Sequence, residues 1–556
     1  MKKQCVQCSK TFEITHSDQQ FYDQLGVPAP TYCPDCRAQR RMVWRNERTL
    51  YQRTCALCKK AIISIYDPKQ PYVVYCYDCW YSDKWDGADY GQAIDFTRPF
   101  FDQFKELQLK VPRVYAMALD NENSEYTNGS AYNKDCYLIF VSDHNEDCMY
   151  SYGMLNCVSS MDNLNVTKSE LTYGCIGCSG CYDVQYSIDS AGCRNSMFLL
   201  DCKASGDCFM SYGLRNAQYV WRNQQLTRTE YEEKLAKLPR DSYNTIQRLQ
   251  GEFAELKKKH TFKYYHGLNN ENFSGDYLER CSNTFHSFES YELENCKYSI
   301  HGNKIKDSHD TYVVVDNSQL VYDLVSGIDL YKNYFSYSYW HGSDGQYCDS
   351  IYHGKNLFGC IGLRHKNFHI LNKPYAEDDY YALRDRLIQH MKDTGEYGQY
   401  FPVTLSPFAY NETAAYDHFP LSKEAVEQQG WRWRDDDVKN IRYSSYRIPD
   451  SIQTVKDDIV SAVLTCASCK KNYKIVQKEL AFYRLQHIPI PRLCHDCRHR
   501  DRLHNRNPRH LWQRQCMCTQ PKHEHSGQCP VNFETAYPAD SASIVYCESC
   551  YSKTIV

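Results

Sequence analysis

The chain has 556 residues, 30 of them cysteine, and a formal net charge of −3 at pH 7. This length exceeds what one hydrophobic core supports and predicts roughly three or four units. No run of about 18 apolar residues occurs, so the sequence does not signal membrane insertion. No short apolar segment follows Lys2 and Lys3, so it does not signal secretion either. We therefore expect a cytoplasmic protein with reduced thiols, whose cysteines are explained by metal binding or by burial.

The charge is distributed unevenly. Residues 1–85 contain 13 basic and 8 acidic residues, and residues 461–556 contain 14 and 7, so the two ends carry +5 and +7. Subtraction from the total leaves −15 for residues 86–460. Basic ends that flank an acidic middle favour a polyanionic partner.

Cysteine pairs at both ends have the spacing of zinc knuckles. The predicted ligands are Cys5, Cys8, Cys33, Cys36, Cys55, Cys58, Cys76 and Cys79 near one end and Cys466, Cys469, Cys494, Cys497, Cys516, Cys518, Cys547 and Cys550 near the other. An offset of 461 residues relates Cys5 to Cys466 and Cys55 to Cys516, which indicates a duplication. Four thiolates complete a tetrahedron around Zn²⁺, so we predict about four structural zinc ions.

Some alternatives stay open for these cysteines. Iron–sulfur binding and redox chemistry also use CxxC pairs, but closure by four thiolates without a nearby βαβ pattern favours structural zinc. At the fourth site Cys516-x-Cys518 is one residue short. Cys529, His523 or His525 could therefore replace a predicted ligand there.

The first knuckles carry a family resemblance. Cys5-Val-Gln-Cys8, Asp18-Gln-Gln-Phe-Tyr22, Gly26 and Cys33-Pro-Asp-Cys-Arg37 are similar to the "probable zinc-ribbon" domain family of bacteria and plants. In the second copy Cys494-His-Asp-Cys-Arg498 persists, whereas His487 replaces the glycine. The resemblance covers about 40 residues in each copy and implies zinc and a fold, without an activity.

An arginine-rich segment follows the second knuckle of each copy. The candidate nucleic-acid contacts are Arg37, Arg40, Arg41, Arg45 and Arg48 in the first copy and Arg498, Arg500, Arg502 and Arg506 in the second. Guanidinium groups pair bidentately with phosphate, which favours RNA or a ribonucleoprotein as partner. The alternative is that these arginines are solvated or pair with the acidic middle of the chain.

The middle of the chain repeats a polar turn followed by a short strand. Cys136, Cys157, Cys181 and Cys208 follow one another at intervals of roughly 20 to 30 residues, which is typical of one parallel β-helix coil. A second run over 272–372 shows the same pattern, and an offset of 149 residues relates Gly213 to Gly362. We therefore predict a mainly β fold with two right-handed parallel β-helix-like stacks, closed by helical caps and flanked by paired zinc-ribbon or treble-clef-like modules.

Cysteines and histidines of the middle have two interpretations. Strand cysteines are expected to pack as small buried residues, although Cys175, Cys178 and Cys181 are dense enough to bind metal. His286, His301, His309, His341, His353, His365 and His369 are expected to be scattered surface residues, since no carboxylate motif orients them as a catalytic or metal cluster.

The predicted units follow the chain in order. They are zinc modules over 1–50 and 51–88, a first stack over 89–226, a helical cap or linker over 227–265, a second stack over 266–374, a helix and wrapping segment over 375–460, and zinc modules over 461–512 and 513–556. The aromatic stretch 398–437 should wrap over another surface.

The function that this layout favours is a non-enzymatic, zinc-binding protein that binds RNA or a ribonucleoprotein through its basic ends. A protein partner along the β-helix is also compatible with it. The alternatives are a carbohydrate-active β-helix enzyme, with titratable groups converging along the coils, and a zinc-dependent protein-interaction scaffold. No catalytic or cofactor-binding residue is predicted. The layout resembles cysteine-rich proteins of candidate-phyla bacteria with zinc ribbons and a parallel β-helix, and that resemblance implies no activity.

Overall fold

The computed structural model describes residues 1–435, 446–521 and 523–555. The fold is mainly β, with a long β-solenoid in the middle and four small cysteine-rich modules at the ends. Each module begins with an antiparallel hairpin. The hairpins are Lys2–Gln4 with Thr11–Glu13, Tyr51–Thr54 with Ala61–Ser64, Leu464–Thr465 with Asn472–Tyr473, and Trp512–Gln515 with Asn532–Thr535.

Helices complete the modules and connect the stacks. In the described ranges they are His16–Leu25, Pro34–Met42, Tyr77–Trp80, Phe100–Lys110, Arg228–Ala236, Tyr243–Lys257, Glu377–Asp393, Ala414–His418, Lys423–Gln428, Gln477–Leu485, His495–His504 and Glu548–Ile555. Within the ranges that could be searched, no helix is long and apolar enough to cross a bilayer.

The solenoid strands form two parallel stacks. The first stack contains Ala118–Leu119, Asn128–Ala131, Phe140–Asp143, Tyr182–Gln185, Arg194–Leu200, Gly206–Tyr212, Gln218–Trp221 and Gln224–Gln225. The second contains Gly267–Leu268, Glu271–Glu279, Ser282–Glu294, Asn303–Lys306, His309–Val315, Ser318–Gln319, Tyr322–Tyr331, Tyr337–Gln346, Asp349–Tyr352, Lys355–Phe358, Asn367–Ile370 and Lys373–Pro374. The last short strand of each stack turns back antiparallel.

The coils of the first stack are short and regular. The Met154 amide bonds to Ser142 in the preceding coil, and this separation of 12 residues is the length of one coil. Parallel bridges connect Lys134 to Glu146 and Glu146 to Val158, and further bridges recur at every third residue along the chain. The coil length expected from the cysteine positions is therefore wrong. The intervals between those cysteines are multiples of three because the repeating unit is a residue triplet, four of which make one coil.

Each triplet contains an inward residue, a bridging residue and a residue with positive φ. In the triplet ending at Leu138, Cys136 is buried, Tyr137 makes the bridge, and Leu138 has φ 51°. Asn, Asp and Gly recur at the third position, because they adopt left-handed backbone conformations at least cost. Their abundance in the sequence is thus explained by corners that recur every three residues.

Side chains in the narrow lumen satisfy backbone donors that the strand ladders do not use. Ser142 Oγ accepts a hydrogen bond from the Met154 amide in the next coil at 3.0 Å, and Asn145 Oδ1 accepts one from Cys157 at 2.9 Å. Buried amides need such partners. The Ser, Asn and Cys content of the middle is therefore structural.

The two stacks are a duplication with two compensating irregularities. One coil of the second stack is one residue shorter than the rest and pairs Gly267 with Leu278, whereas a later coil is one residue longer and pairs His309 with Tyr322. Equivalent positions are consequently 149 residues apart at both ends of the stacks and 148 residues apart between these two coils.

The stacks lie side by side and run in opposite directions. Tyr277 donates a hydrogen bond to Asp189 at 3.0 Å, and Asn165 donates one to Glu289 at 3.1 Å. Residue numbers thus fall in one stack as they rise in the other. The expected helical caps are confirmed: Tyr231 packs on Tyr219 and Tyr380 packs on Phe368 at the last coil of each stack.

A zinc-type module adjoins the first coil of each stack. Val74–Tyr75 pairs with Arg113–Val114 before the first stack, and Ile544–Tyr546 pairs with Thr261–Lys263 before the second. Residues 398–435 wrap over the N-terminal module as expected, with Phe401 on Trp44 at a ring-centroid distance of 4.7 Å. Residues 436 and 437 of the predicted wrapping stretch lie outside the described residues.

Candidate metal centres and central cleft

Four groups of cysteine side chains have the geometry of tetrahedral metal sites. The groups are Cys5, Cys8, Cys33 and Cys36; Cys55, Cys58, Cys76 and Cys79; Cys466, Cys469, Cys494 and Cys497; and Cys516, Cys529, Cys547 and Cys550. The Sγ atoms of Cys8 and Cys33 are 3.7 Å apart, as are those of Cys58 and Cys76. A tetrahedron with Zn–S bonds of about 2.3 Å has edges of about 3.8 Å, so these groups fit four structural zinc ions.

Backbone amides prepare the thiols to act as ligands. The Cys76 amide donates to Cys55 Sγ at 3.3 Å, and the Cys494 amide donates to Cys466 Sγ at the same distance. Burial raises the pKa of Cys55 and Cys466, but the backbone donors outweigh burial and hold each pKa at about 6. The thiolate, which is the metal-binding form, is thereby favoured near neutral pH.

The fourth site uses Cys529 where the sequence suggested Cys518. The Cys516 amide bonds to the Val531 carbonyl as the Cys55 amide bonds to the Lys60 carbonyl, so Cys529 is the counterpart of Cys58. An insertion within the knuckle carries Cys518 away from this position. Cys518 instead lies in a second group with His523, His525 and Cys550.

Two arginines of the N-terminal module are buried against the second stack. Arg37 pairs with Asp310 at 3.0 Å, and Arg41 pairs with both Asp310 and Asp323, at 2.9 and 2.8 Å. These arginines follow Cys36 on the helix Pro34–Met42. The metal site therefore positions the helix that attaches the module to the solenoid.

The C-terminal copy repeats this contact on the first stack. Arg498 and Arg502 both pair with Asp162 at 2.9 Å. Arg498 lies over the ring of Tyr150 as Arg37 lies over Tyr298, at the equivalent position of the other stack. The two contacts follow from the same duplication.

Most of the other predicted nucleic-acid contacts are also occupied within the chain. Their partners are the Tyr400 carbonyl for Arg40, Glu47 for Arg45, Asp496 for Arg48 and Glu289 for Arg506. Arg500, by contrast, is exposed and donates to Cys497 Sγ at 3.2 Å. The alternative in which the arginines pair with the acidic middle is confirmed for these contacts to Asp162, Asp310, Asp323 and Glu289.

The lumen cysteines pack as expected. Cys175, Cys178 and Cys181 are buried, and their thiols donate to the carbonyls of residues in the next coil. Among the residues searched, none of the potential metal groups includes these three. Their spacing of three residues reflects consecutive triplets of one coil.

The histidines of the second stack have three different environments. His341, His353 and His365 stack one above another at ring-centroid distances of 4.9 and 4.8 Å, on an outer edge of the coils. His309 and His369 are buried, contrary to the expected surface positions, and His309 stacks on Phe21. His301 contacts Glu289 at 3.2 Å.

A cleft of about 930 Å³ lies where the stacks meet the zinc modules. Its lining comes from six separate stretches of the chain and includes Tyr152, Glu289, His418, Arg506 and Arg509. Hydrogen bonds from Tyr152 and Tyr312 to Glu47 connect both stacks beside it. No sequence motif indicates this site, because its residues are far apart in the chain.

One carboxylate faces two buried guanidinium groups at the cleft wall. Glu289 accepts from Arg509 Nε at 2.9 Å and pairs with Arg506 Nη2 at 2.8 Å. Burial lowers the pKa of His301 to about 4 and that of His418 below its usual range, so both are neutral at pH 7. Glu289, Arg506, Arg509, His301 and His418 together therefore carry one net positive charge, and Asp189 is a further carboxylate near Arg506.

The comparison with known families covers the first module. A family model described as "Probable treble clef domain" matches residues 1–43. A search of curated proteins finds no match to the chain. The match agrees with the geometry of Cys5, Cys8, Cys33 and Cys36, and it supports zinc binding at this module.

Proposed function

We propose that the protein is a non-enzymatic, zinc-assembled binding protein, and that its central cleft takes a phosphate group of an RNA. The zinc ions have a structural role in this proposal, because they hold the helices that attach the modules to the stacks. In this proposal the anion site is the cleft, in place of the arginine-rich segments that the sequence favours.

Two guanidinium nitrogens beside Glu289, without hydrogen-bond partners in the part of the chain that the structure describes, carry the proposal. Arg506 and Arg509 are more than nine-tenths buried, and the Nη1 atom of each is without a hydrogen-bond partner among the described residues. A buried N–H donor without an acceptor is costly, and an anionic ligand that accepts from it removes that cost. Guanidinium groups favour phosphate and carboxylate ligands, through paired N–H donors.

Exposed donors at the cleft are compatible with a polyanion. Lys10, Arg500, His504 and His510 are exposed residues of the lining. Several contacts of this kind would make binding depend on salt, with a slope of about −0.7 per phosphate for a single strand.

Binding of a short RNA with a 5′-phosphate, compared with the same RNA ending in a 5′-hydroxyl, tests the proposal by fluorescence anisotropy. We expect the phosphate to tighten binding and R509Q to weaken it about tenfold, which corresponds to about 1.4 kcal/mol. R228Q is a matched control, because Arg228 lies on an exposed cap helix. Equal binding by wild type and R509Q, with or without the phosphate, would refute the proposal; circular dichroism and zinc content verify folding.

A carbohydrate-active enzyme is the second candidate, and Asp417 favours it. This carboxyl lines the cleft beside His418 as an exposed residue, and desolvation by the protein around it raises its pKa to about 6. Such a pKa suits a general acid near neutral pH. Hydrolysis of an oligosaccharide that is abolished in D417N would favour this candidate over the RNA proposal.

The contacts that four arginines make within the chain weigh against the scaffold alternative. It required the basic ends to bind the acidic middle of neighbouring molecules. Arg37, Arg41, Arg498 and Arg502 make those contacts within one chain. A protein partner along the outer face of the solenoid stays a prediction.

A further inference from the structure

The fourth zinc module differs from the second by an insertion at its first knuckle. The strand Ala61–Ser64 begins six positions after Cys55, whereas Asn532–Thr535 begins sixteen positions after Cys516. The flanking hairpins keep the same pairing, so the extra ten residues lie within the knuckle. They include Cys518, His523 and His525.

These inserted side chains form a second group of ligand atoms. Cys518 Sγ is 3.0 Å from His523 Nδ1, and Cys550 Sγ is 3.5 Å from His525 Nε2. All four ligand atoms lie within 4.8 Å of one another. Cys518 and Cys550 are buried and the two histidines are half-buried.

Cys550 belongs to both groups. The first group adds Cys516, Cys529 and Cys547, and the second adds Cys518, His523 and His525. Seven ligands with one in common match two four-coordinate sites that share a thiolate. A single tetrahedral ion would leave three of these seven ligands unused.

We propose that this module holds two zinc ions bridged by the Cys550 thiolate, so that the chain binds five. One ion has four sulfur ligands. The other has two sulfur and two imidazole nitrogen ligands, a common zinc donor set.

Charge favours the second ion. A zinc ion with four thiolates carries a net charge of −2, whereas two zinc ions with five thiolates and two neutral imidazoles carry −1. The added ion thus reduces the charge that the module must accommodate, and it also uses Cys518, which is otherwise a buried thiol beside two imidazoles. Because the histidines retain solvent access, we expect this ion to exchange faster than the other four.

Native mass spectrometry of the full chain, with zinc added and excess removed, tests the stoichiometry. We expect five ions for wild type and four for H523A/H525A. The control H353A/H365A removes two exposed histidines of the solenoid and should retain five. Because His523 and His525 lie on an inserted loop and His353 and His365 are exposed on the solenoid, both variants should fold, which circular dichroism checks.

A second measurement distinguishes two ions from one ion with alternative ligands. After replacement by ¹¹³Cd, NMR should show one resonance at the shift of mixed sulfur and nitrogen ligands, coupled to a four-sulfur resonance and lost in H523A/H525A. Wild type with four ions after zinc addition, or a mixed-ligand resonance without a four-sulfur partner in this module, would overturn the proposal.

Discussion

The two docked zinc modules have the same geometry but different numbers of buried charges. On the second stack Arg37, Arg41 and Lys297 contact Asp310, Asp323 and Asp18, three cations with three carboxylates. On the first stack Arg498 and Arg502 contact Asp162 and Glu479, two cations with two carboxylates. Since the duplication, one cation and one carboxylate have therefore been gained or lost together at this contact.

The equivalent positions show how the sets differ. Glu479 is the counterpart of Asp18, whereas Met149 and Gly174 occupy the positions of Lys297 and Asp323. A single added charge would be buried without a partner, at a cost on the order of several kcal/mol. The duplicated halves therefore share the pairs of Arg37 and Arg41 with Asp310 and of Arg498 and Arg502 with Asp162, and beyond these pairs they share only the neutrality of the contact.

A third pair of positions replaces charge by hydrophobic contact. Arg113 and Asp349 form a buried ion pair at 2.6 Å, and their counterparts, 149 residues away, are Phe262 and Leu200. Phe262 and Leu200 belong to one hydrophobic cluster. The same kind of interface is therefore formed either by an ion pair or by an apolar pair. This agrees with the modest net contribution of buried ion pairs to stability.

The largest expected effect follows from that replacement. D349L should destabilise the protein by about 3–5 kcal/mol, because it leaves Arg113 buried without its counter-charge. The double variant R113F/D349L copies the other half and should recover most of that loss, since it leaves no unpaired charge buried. Urea unfolding followed by circular dichroism measures both; a double variant less stable than D349L would contradict the comparison.

The second prediction concerns the entrances of the stacks, where His266 is the counterpart of Met117. His266 contacts Asp276 at 3.0 Å and Asp189 at 3.4 Å, and although burial lowers its pKa, the two carboxylates raise it to about 10. The contribution of protonated His266 to the free energy of unfolding is fully present below about pH 6.5, the ordinary histidine pKa. It is lost as the pH rises through about 10. We expect a loss on the order of 4 kcal/mol between those values.

Urea midpoints measured from pH 7 to pH 10 check this dependence. H266M, which copies the other half, should be less stable than wild type at pH 7 because Asp189 and Asp276 lose their cation. Its stability should also fall less steeply as pH rises. Parallel curves for the two proteins would show that His266 does not titrate as expected.

How much of this was predictable differs between the modules and the stacks. The CxxC spacing predicts the ligands of three sites because a knuckle is a local structure, closed by residues near one another in sequence. Cys529 was one of several alternatives, since only the pairing of the flanking strands identifies it as the counterpart of Cys58.

The solenoid and the cleft show why longer-range features were missed. Alternating Asn, Asp, Ser and Cys indicates tight coils, but the coil length depends on which residues pair, and Lys134 with Glu146 is not visible in the sequence. The roles of Arg37 and Arg498 were ambiguous for a similar reason. An arginine-rich helix has the same sequence whether it faces RNA or Asp310 and Asp162.

The third prediction compares the two docking contacts directly. Two arginines share Asp162, whereas Asp323 stays beside Arg41 when Asp310 is neutralised. D162N should therefore cost about 2 kcal/mol more than D310N, although each leaves a surplus of one cation, because Arg502 loses the carboxylate that it contacts whereas Arg41 keeps Asp323. Hydrogen exchange of the helices His495–His504 and Pro34–Met42 reports each contact, and each variant's undisturbed helix is the internal control; equal losses of protection would contradict this difference.

The smallest expected effect tests neutrality itself. K297M leaves Asp18 without its cation, and D323G leaves a surplus cation at Arg41, so each single variant should weaken the N-terminal contact. The double variant has the charge composition of the C-terminal copy. If neutrality is the shared requirement, the double variant should be more stable than the sum of the single effects by about 1 kcal/mol, a coupling that distant independent sites do not show. Hydrogen-exchange protection of the helix Pro34–Met42 in wild type, the two single variants and the double variant measures this coupling. Strictly additive losses of protection would mean that each ion pair acts by its own local geometry.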